Sequence, residues 1–335
     1  MRYSSFTAVS GRKLLSVILI LLILPYGISS CTGLLRRKTQ KVAEGVVLGD
    51  VPLGGLTAAE SRVVIEQLAR IRNVPPVDAC LDETTGGVIP ALCGLEIDVD
   101  ATLERVLAAG RGEMVVPHVR SVPPAVTLAD FKQYPVYRGN PAKKQVAFLI
   151  NVAWGNEFLP EMLEVLREAG AQATFFLVGR WVENNRQEAE MLAASGFEIA
   201  SHGYSDAISL GEAPLSVVEE DLRRAGEIIT AVCGKRPQYF SPHKGELSPS
   251  VLAAAAAQNY RVIMWTLDTV DWKLPGVDAM YEKIIQGAEG GSMILMHPTE
   301  QTAAFLRRII PALREKGLEP KTVGQLLSPD WGPGE

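Results

Sequence analysis

VAFLINVAWGNE, residues 146–157, decides the fold. Val146 to Ile150 is an apolar run with no helical period, as expected of a strand buried on both faces of a parallel sheet. Asn151 is its first polar residue. Trp154, Gly155 and Asn156 then make a turn, and Glu157 to Ala169 sets Leu159, Met162, Leu163, Leu166 and Ala169 on one helical face before Gly170 stops it. Strand, turn and amphipathic helix form one βα unit, with Asn151 at the C-terminal end of the strand.

The same alternation continues downstream. Strands are expected at 173–178, 197–201, 238–241, 261–267 and 293–297, with a weak one near Lys321, and helices around 187–194, 215–229, 249–257, 279–286 and 301–315. This alternation predicts parallel strands covered by helices, an α/β fold. An incomplete (β/α)7 barrel over 146–328, with a tail at 329–335, is the economical closure. Barrels of this kind collect their chemistry at the C-terminal ends of the strands. Of the 4 histidines, His202, His243 and His297 fall at or just after those ends, with Asn151, Asp206, Asp268 and Asp271 beside them. Histidines on three different strands, with carboxylates alongside, form a candidate active-site rim.

Upstream, residues 45–131 read as a small α+β domain and 132–145 as a linker, rich in Pro, Gly and Lys from Pro135 to Lys144. Thr57 and Glu60 form a capping box for a helix carrying Val64, Leu68 and Ile71, and Asp100 is expected to cap a second helix running to Gly110. His118 is expected to be structural or superficial. Cys80 and Cys93 lie at equal distances from Gly86-Gly87, so a simple hairpin would set them opposite each other for a disulfide; the alternative is two buried thiols, the reading given to Cys233.

At the N-terminus, Arg2, Arg12 and Lys13 precede an apolar run from Leu14 to Leu24, Pro25 follows, and the stretch ends Ile28-Ser29-Ser30-Cys31. That is the anatomy of a secretory signal. Its end resembles a bacterial lipobox, in which Cys31 would become the lipidated first residue; the alternative for 1–31 is an uncleaved membrane anchor. Residues 32–44 then form a tether. With 335 residues, 47% of them hydrophobic, there is room for a barrel and a smaller domain. A net charge of -5 with no basic stripe argues against nucleic acid as a partner.

ATFFLVG at 173–179, EIASHGYSD at 198–206, MWTLDTVDW at 264–272 and ILMHPT at 294–299 resemble the NodB-homology polysaccharide deacetylases, carbohydrate esterase family 4. LINVAWGNE and MILMHPTEQTAAFLRRIIPAL are similar to the sporulation-associated, YlxY-type members of that family. GDVPLGGLTAAES, GLEIDVDATLERVLAAG and VRSVPPAVTLADF resemble a peptidoglycan-binding domain found beside envelope enzymes.

The resemblance implies a metal-dependent hydrolysis. Two adjacent aspartates of the first motif act as base and metal ligand, a His-x-x-x-His motif supplies two further ligands, and a late histidine protonates the leaving amine. Asn151 stands in the place of the base and Val152 in the place of a ligand. His202 matches the first metal histidine, Asp206 replaces the second, and Ser241 replaces the arginine that would hold the base. His297 matches the acid, with Asp268 or Asp271 to tune it. Trp154, Pro242, Trp272 and Leu295 are the expected groove lining. A divalent metal, zinc or similar, would need His202, Asp206 and a recruit, for which His243 is the candidate.

Two readings follow. One is a glycan-binding pseudoenzyme of the cell envelope in a spore-forming bacterium, held at the membrane by its N-terminus and partnered with peptidoglycan or a related glycan. The other is an active deacetylase with a rebuilt site.

Overall fold

The computed structural model describes residues 40–332. They divide into two compact units, one built from the chain up to Pro75 with Gly94–Val122, the other from Pro76–Cys93 with the chain from Pro123 onward. Among the described residues no helix is long and apolar enough to cross a membrane. Cys31 and the signal or anchor reading lie outside them.

In chain order the first half contains β1 (Val47–Leu48), β2 (Val51–Pro52), α1 (Ala58–Arg72), β3 (Cys80–Leu81), β4 (Val88–Ile89), β5 (Gly94–Ile97), α2 (Val99–Ala108), β6 (Met114–Val115) and β7 (Val119–Val122). The first unit joins β2, β1 and β6 in one small sheet and β5 with β7 in another. Its core gathers Val46, Leu48, Leu53, Ile65 and Val106. Both halves of the Thr57–Glu60 capping box form, and α1 buries Ile65, Leu68 and Ala69. Asp98, not Asp100, caps α2, its side chain accepting from the Ala101 N–H, and the helix ends at Ala108. Two residues earlier, the carboxylate reaches the free N–H groups of the first turn; Asp100 is already inside the helix. The backbone of His118 joins this cap, its carbonyl accepting from Asp98 N–H at 2.8 Å.

The hairpin of β3 and β4 belongs to the second unit. Its register pairs Cys80 with Ile89 and Leu81 with Val88, so it turns about Thr84-Thr85 rather than Gly86-Gly87. Cys80 therefore does not face Cys93, and both are free thiols, Cys80 exposed and Cys93 buried. Asp82 draws the turn forward, its carboxylate accepting from Thr84 N–H and Thr85 Oγ1, each at 2.9 Å.

The rest of the second unit runs β8 (Gln145–Val152), α3 (Leu159–Glu168), β9 (Thr174–Leu177), α4 (Gly179–Asn184), α5 (Arg186–Ala194), β10 (Glu198–Ser201), α6 (Leu215–Cys233), β11 (Tyr239–Phe240), α7 (Pro249–Ala257), β12 (Arg261–Val262), β13 (Leu267–Asp268), α8 (Val277–Gly287), β14 (Met293–Met296), α9 (Thr302–Glu315), β15 (Glu319–Lys321) and α10 (Val323–Leu327). The sheet order is β12-β11-β10-β9-β8-β14-β13, with β15 also on β8, and every pairing is parallel. It is a curled sheet with helices packed outside. The strand expected at 261–267 is two short strands at opposite edges: its first residues pair with β11 and its last with β14, so one stretch of chain bridges the two edges.

All eight residues of β8 are buried, which is why its sequence shows no alternation. The two faces nevertheless differ. Val146, Phe148, Ile150 and Val152 pack in the large cluster with the residues of α3 and α9, whereas Ala147 and Leu149 join Phe176, Ala200, Ile263 and Met293 inside the curl. By the same alternation Asn151 faces inward and Val152 outward.

Candidate active site

The C-terminal ends of β8, β10, β11, β13 and β14 deliver the polar residues. Asp271, with no exposed side-chain surface, ties two of these ends together. Its Oδ2 accepts from the His297 backbone N–H at 2.6 Å and its Oδ1 lies 2.8 Å from His297 Nδ1. Thr302, the first residue of α9, donates to the His297 carbonyl at 2.7 Å. Pairing at Nδ1 leaves His297 Nε2 available for chemistry. Asp268 is not the partner of His297. Its Oδ1 accepts from Val270 N–H at 2.7 Å, closing a turn in which Val270 (φ 56°) and Leu274 (φ 50°) are both left-handed. Such backbone in bulky residues is strained, and it swings Asp271 inward.

Trp154 covers the other side of His297, the two rings nearly parallel at 7° with centroids 6.0 Å apart. Gly155 makes this possible: at φ 79° it brings the turn so close that an added Cβ would stand 2.1 Å from the Pro298 carbonyl oxygen. Trp154 and Trp272 are 45% and 54% exposed, whereas Pro242 and Leu295 are buried.

A second cluster joins β10 and β11. His202 Nδ1 donates to the Ser241 carbonyl at 2.6 Å, and the His202 and His243 rings lie 4.1 Å apart. Burial pushes His202 well below its ordinary range and brings His243 down to about 4, so both are neutral at pH 7. Three buried polar atoms find no partner here among the described residues: Asn151 Oδ1, Ser241 Oγ and His243 Nε2. The loop after β10 is held by Asp221 of α6, which accepts from Tyr204 N–H at 2.8 Å and Ser205 N–H at 3.3 Å. Burial raises its carboxyl pKa. Its place on the apolar face with Val218, Leu222 and Ala225 was the signal available in the sequence.

These residues do not make the expected metal site. Among the described residues no group of three or more His, Cys, Asp or Glu side chains could hold a metal ion. His202 and His243 come together, but Asp206 is exposed on the loop and does not complete a set. Val152, which the resemblance sets in the place of a ligand, is buried in the helix-facing core.

The polysaccharide deacetylase model matches residues 138–263. Bacillus subtilis YlxY, an uncharacterized protein, is 35% identical over 255 residues, 76% of this chain and 79% of its own. A peptidoglycan-N-acetylglucosamine deacetylase of Bacillus cereus is 30% identical over 180 residues, 52% of this chain and 65% of its own. Among solved structures, wild-type BA3943 of Bacillus anthracis, a CE4 family pseudoenzyme, is 31% identical, with a TM-score of 0.73 over 81% of this chain and 96% of its own. A mutant of BA3943 with restored enzymatic activity matches at 29% identity and the same TM-score of 0.73, over 81% of this chain and 99% of its own. The chain thus belongs to the polysaccharide deacetylase family, the NodB-type carbohydrate esterases of family 4.

Proposed function

We propose that this chain is a cell-envelope member of its family that binds wall glycan at the strand-end site, its deacetylase chemistry lost or severely weakened. One observation carries the reading: the inward-facing end of β8 bears the uncharged Asn151, its Oδ1 buried and unpartnered. Acetamide hydrolysis needs a group that takes a proton from the attacking water, and a carboxamide does not do so near pH 7. The Asp271–His297 pair keeps the other half of the reaction, a positioned imidazole that can hand a proton to a leaving amine. Deacetylases of the family usually depend on a metal, but the residues present here do not fit one. The unpartnered Asn151, Ser241 and His243 atoms instead suit hydrogen bonding to a neutral sugar. Likeness to the BA3943 pseudoenzyme supports the same reading.

In this reading the partner is peptidoglycan or a related glycan, residues 45–131 add a second contact to it, and residues 1–31 hold the chain outside the cytoplasm as a lipoprotein or uncleaved anchor, in sporulation or wall assembly. The test is acetate release by the full chain from N-acetylated chitooligosaccharides and from peptidoglycan, with zinc, cobalt or manganese and a His297→Ala control. No release above that control, alongside co-sedimentation with purified wall, is expected. A variant combining Asn151→Asp, Val152→Asp, Asp206→His and Ser241→Arg should gain metal-dependent release. Release by the wild-type chain that needs both metal and His297 would overturn the reading in favour of an active deacetylase with a rebuilt site.

A further inference from the structure

At the opposite end of the barrel from His297, a cleft of about 560 Å³ opens where β11 and β12 begin. Arg261, the first residue of β12, is half-buried, and its guanidinium donates to the carbonyls of Leu128 and Phe131. Those oxygens take up part of its N–H groups without neutralising its charge, and no carboxylate among the described residues forms a salt bridge with it; burial accordingly lowers its pKa. A cation partly withdrawn from water without a counter-ion favours entry of an anion.

Two more cations share the wall. Arg236 lies 5.7 Å over the Tyr260 ring, its Nη2 donating to the Gln258 carbonyl at 3.4 Å, and Lys132 is exposed at the rim. Among the described residues no Asp or Glu lines the cleft. Glu198 stands behind Gly324 with its carboxylate already engaged, accepting from Thr174 Oγ1 at 2.7 Å and from Gly324 N–H at 3.1 Å. The remaining wall offers the phenol of Tyr239 and the amides of Gln238 and Asn259. Aromatic faces and neutral amides suit a pyranose, and fixed cations suit an oxyanion.

We infer that this cleft is a second ligand site, for a sugar that carries a carboxylate or a phosphate. The site is independent of the strand-end reading and shares no residue with it.

Calorimetric titration of the full chain with glucuronic acid, glucose 1-phosphate, N-acetylglucosamine and inorganic phosphate tests it. The anionic sugars bind and compete for one site, and the tighter of the two tells whether the cleft takes a carboxylate or a phosphate. Lys132→Ala with Arg236→Ala should weaken that binding roughly tenfold or more. Both side chains are exposed and in no ion pair among the described residues, so tryptophan fluorescence should show the fold intact. His297→Ala, at the other end, should leave it unchanged, which separates failure here from failure of the strand-end reading. The inference is overturned if neither anionic sugar binds, if N-acetylglucosamine binds as tightly, or if the double variant binds like wild type. Inorganic phosphate binding as tightly as the sugar phosphate would leave an anion site only and overturn the assignment to a sugar.

Discussion

Replacing Gly155 with alanine should loosen the cover over His297 at a cost read directly from the turn. Gly155 sits at φ 79°, where a side chain costs about 1–2 kcal/mol from backbone sterics alone. The new Cβ would also stand 2.1 Å from the Pro298 carbonyl oxygen and 3.1 Å from Pro298 Cγ. A carbon–oxygen contact needs about 3.3 Å, so the turn must retreat by roughly 1 Å. Forced displacement of that kind costs about 1–3 kcal/mol. Gly155→Ala should therefore destabilise by about 2–5 kcal/mol. Gly170→Ala is the control: its φ is 59° and an added Cβ meets nothing within 4 Å, so only the backbone cost of about 1–2 kcal/mol applies. All 5 tryptophans lie between Trp154 and Trp331, so urea denaturation followed by tryptophan fluorescence reports on the second unit. Trp154, released from its stack on His297, should also change its emission before unfolding. If the two variants fall within about 0.5 kcal/mol of each other, the close approach to Pro298 does not hold the turn.

Acid should destabilise the second unit through His243. Burial lowers its pKa from the ordinary 6.5 to about 4, so the unfolded chain takes the proton first as pH falls. Its contribution is fully present above pH 6.5 and is lost between 6.5 and about 4. At about 1.4 kcal/mol per pH unit that amounts to about 3 kcal/mol, with buried His202 acting in the same direction. His243→Gln should flatten denaturation midpoints across that window, and an unchanged slope would count against the burial argument. Asp271→Asn should cost about 1–3 kcal/mol in thermal unfolding, because an amide cannot accept from both the backbone N–H and Nδ1 of His297 through its two ends. Asp268→Asn keeps an oxygen for Val270 N–H and should cost less; equal losses would contradict the assignment of Asp271 as the partner. Without reductant, Cys80 should alkylate in the native protein and Cys93 only after unfolding, whereas a peptide mass showing the two bridged would refute the hairpin register.

Much of the fold is legible in the sequence because it follows from burial along the chain. The apolar run of β8, the helical face of α3 and the stop at Gly170 depend on residues a few positions apart. So does the placement of His202, His243 and His297 at strand ends, once strands and helices alternate. Local choices at turns were less legible. Asp82 and Thr84 outweigh the glycine pair in setting the hairpin, and Asp98 is better placed than Asp100 to cap α2. Both depend on which short side chain first reaches a free N–H, and several residues in each stretch had the right chemistry.

The sequence by itself determined a barrel-like α/β domain, a polar rim at its strand ends and an uncharged Asn151 at the end of β8. Only the tertiary structure decided which of those residues work together. Asp271 rather than Asp268 serves His297 because a left-handed turn at Val270 swings it inward. His202 meets His243 while Asp206 stays on the surface, and Arg261 donates to carbonyls more than a hundred residues away. Hydrophobic period is set by neighbours in the chain, whereas partner choice and counter-charge are set by groups that become neighbours only when the sheet curls.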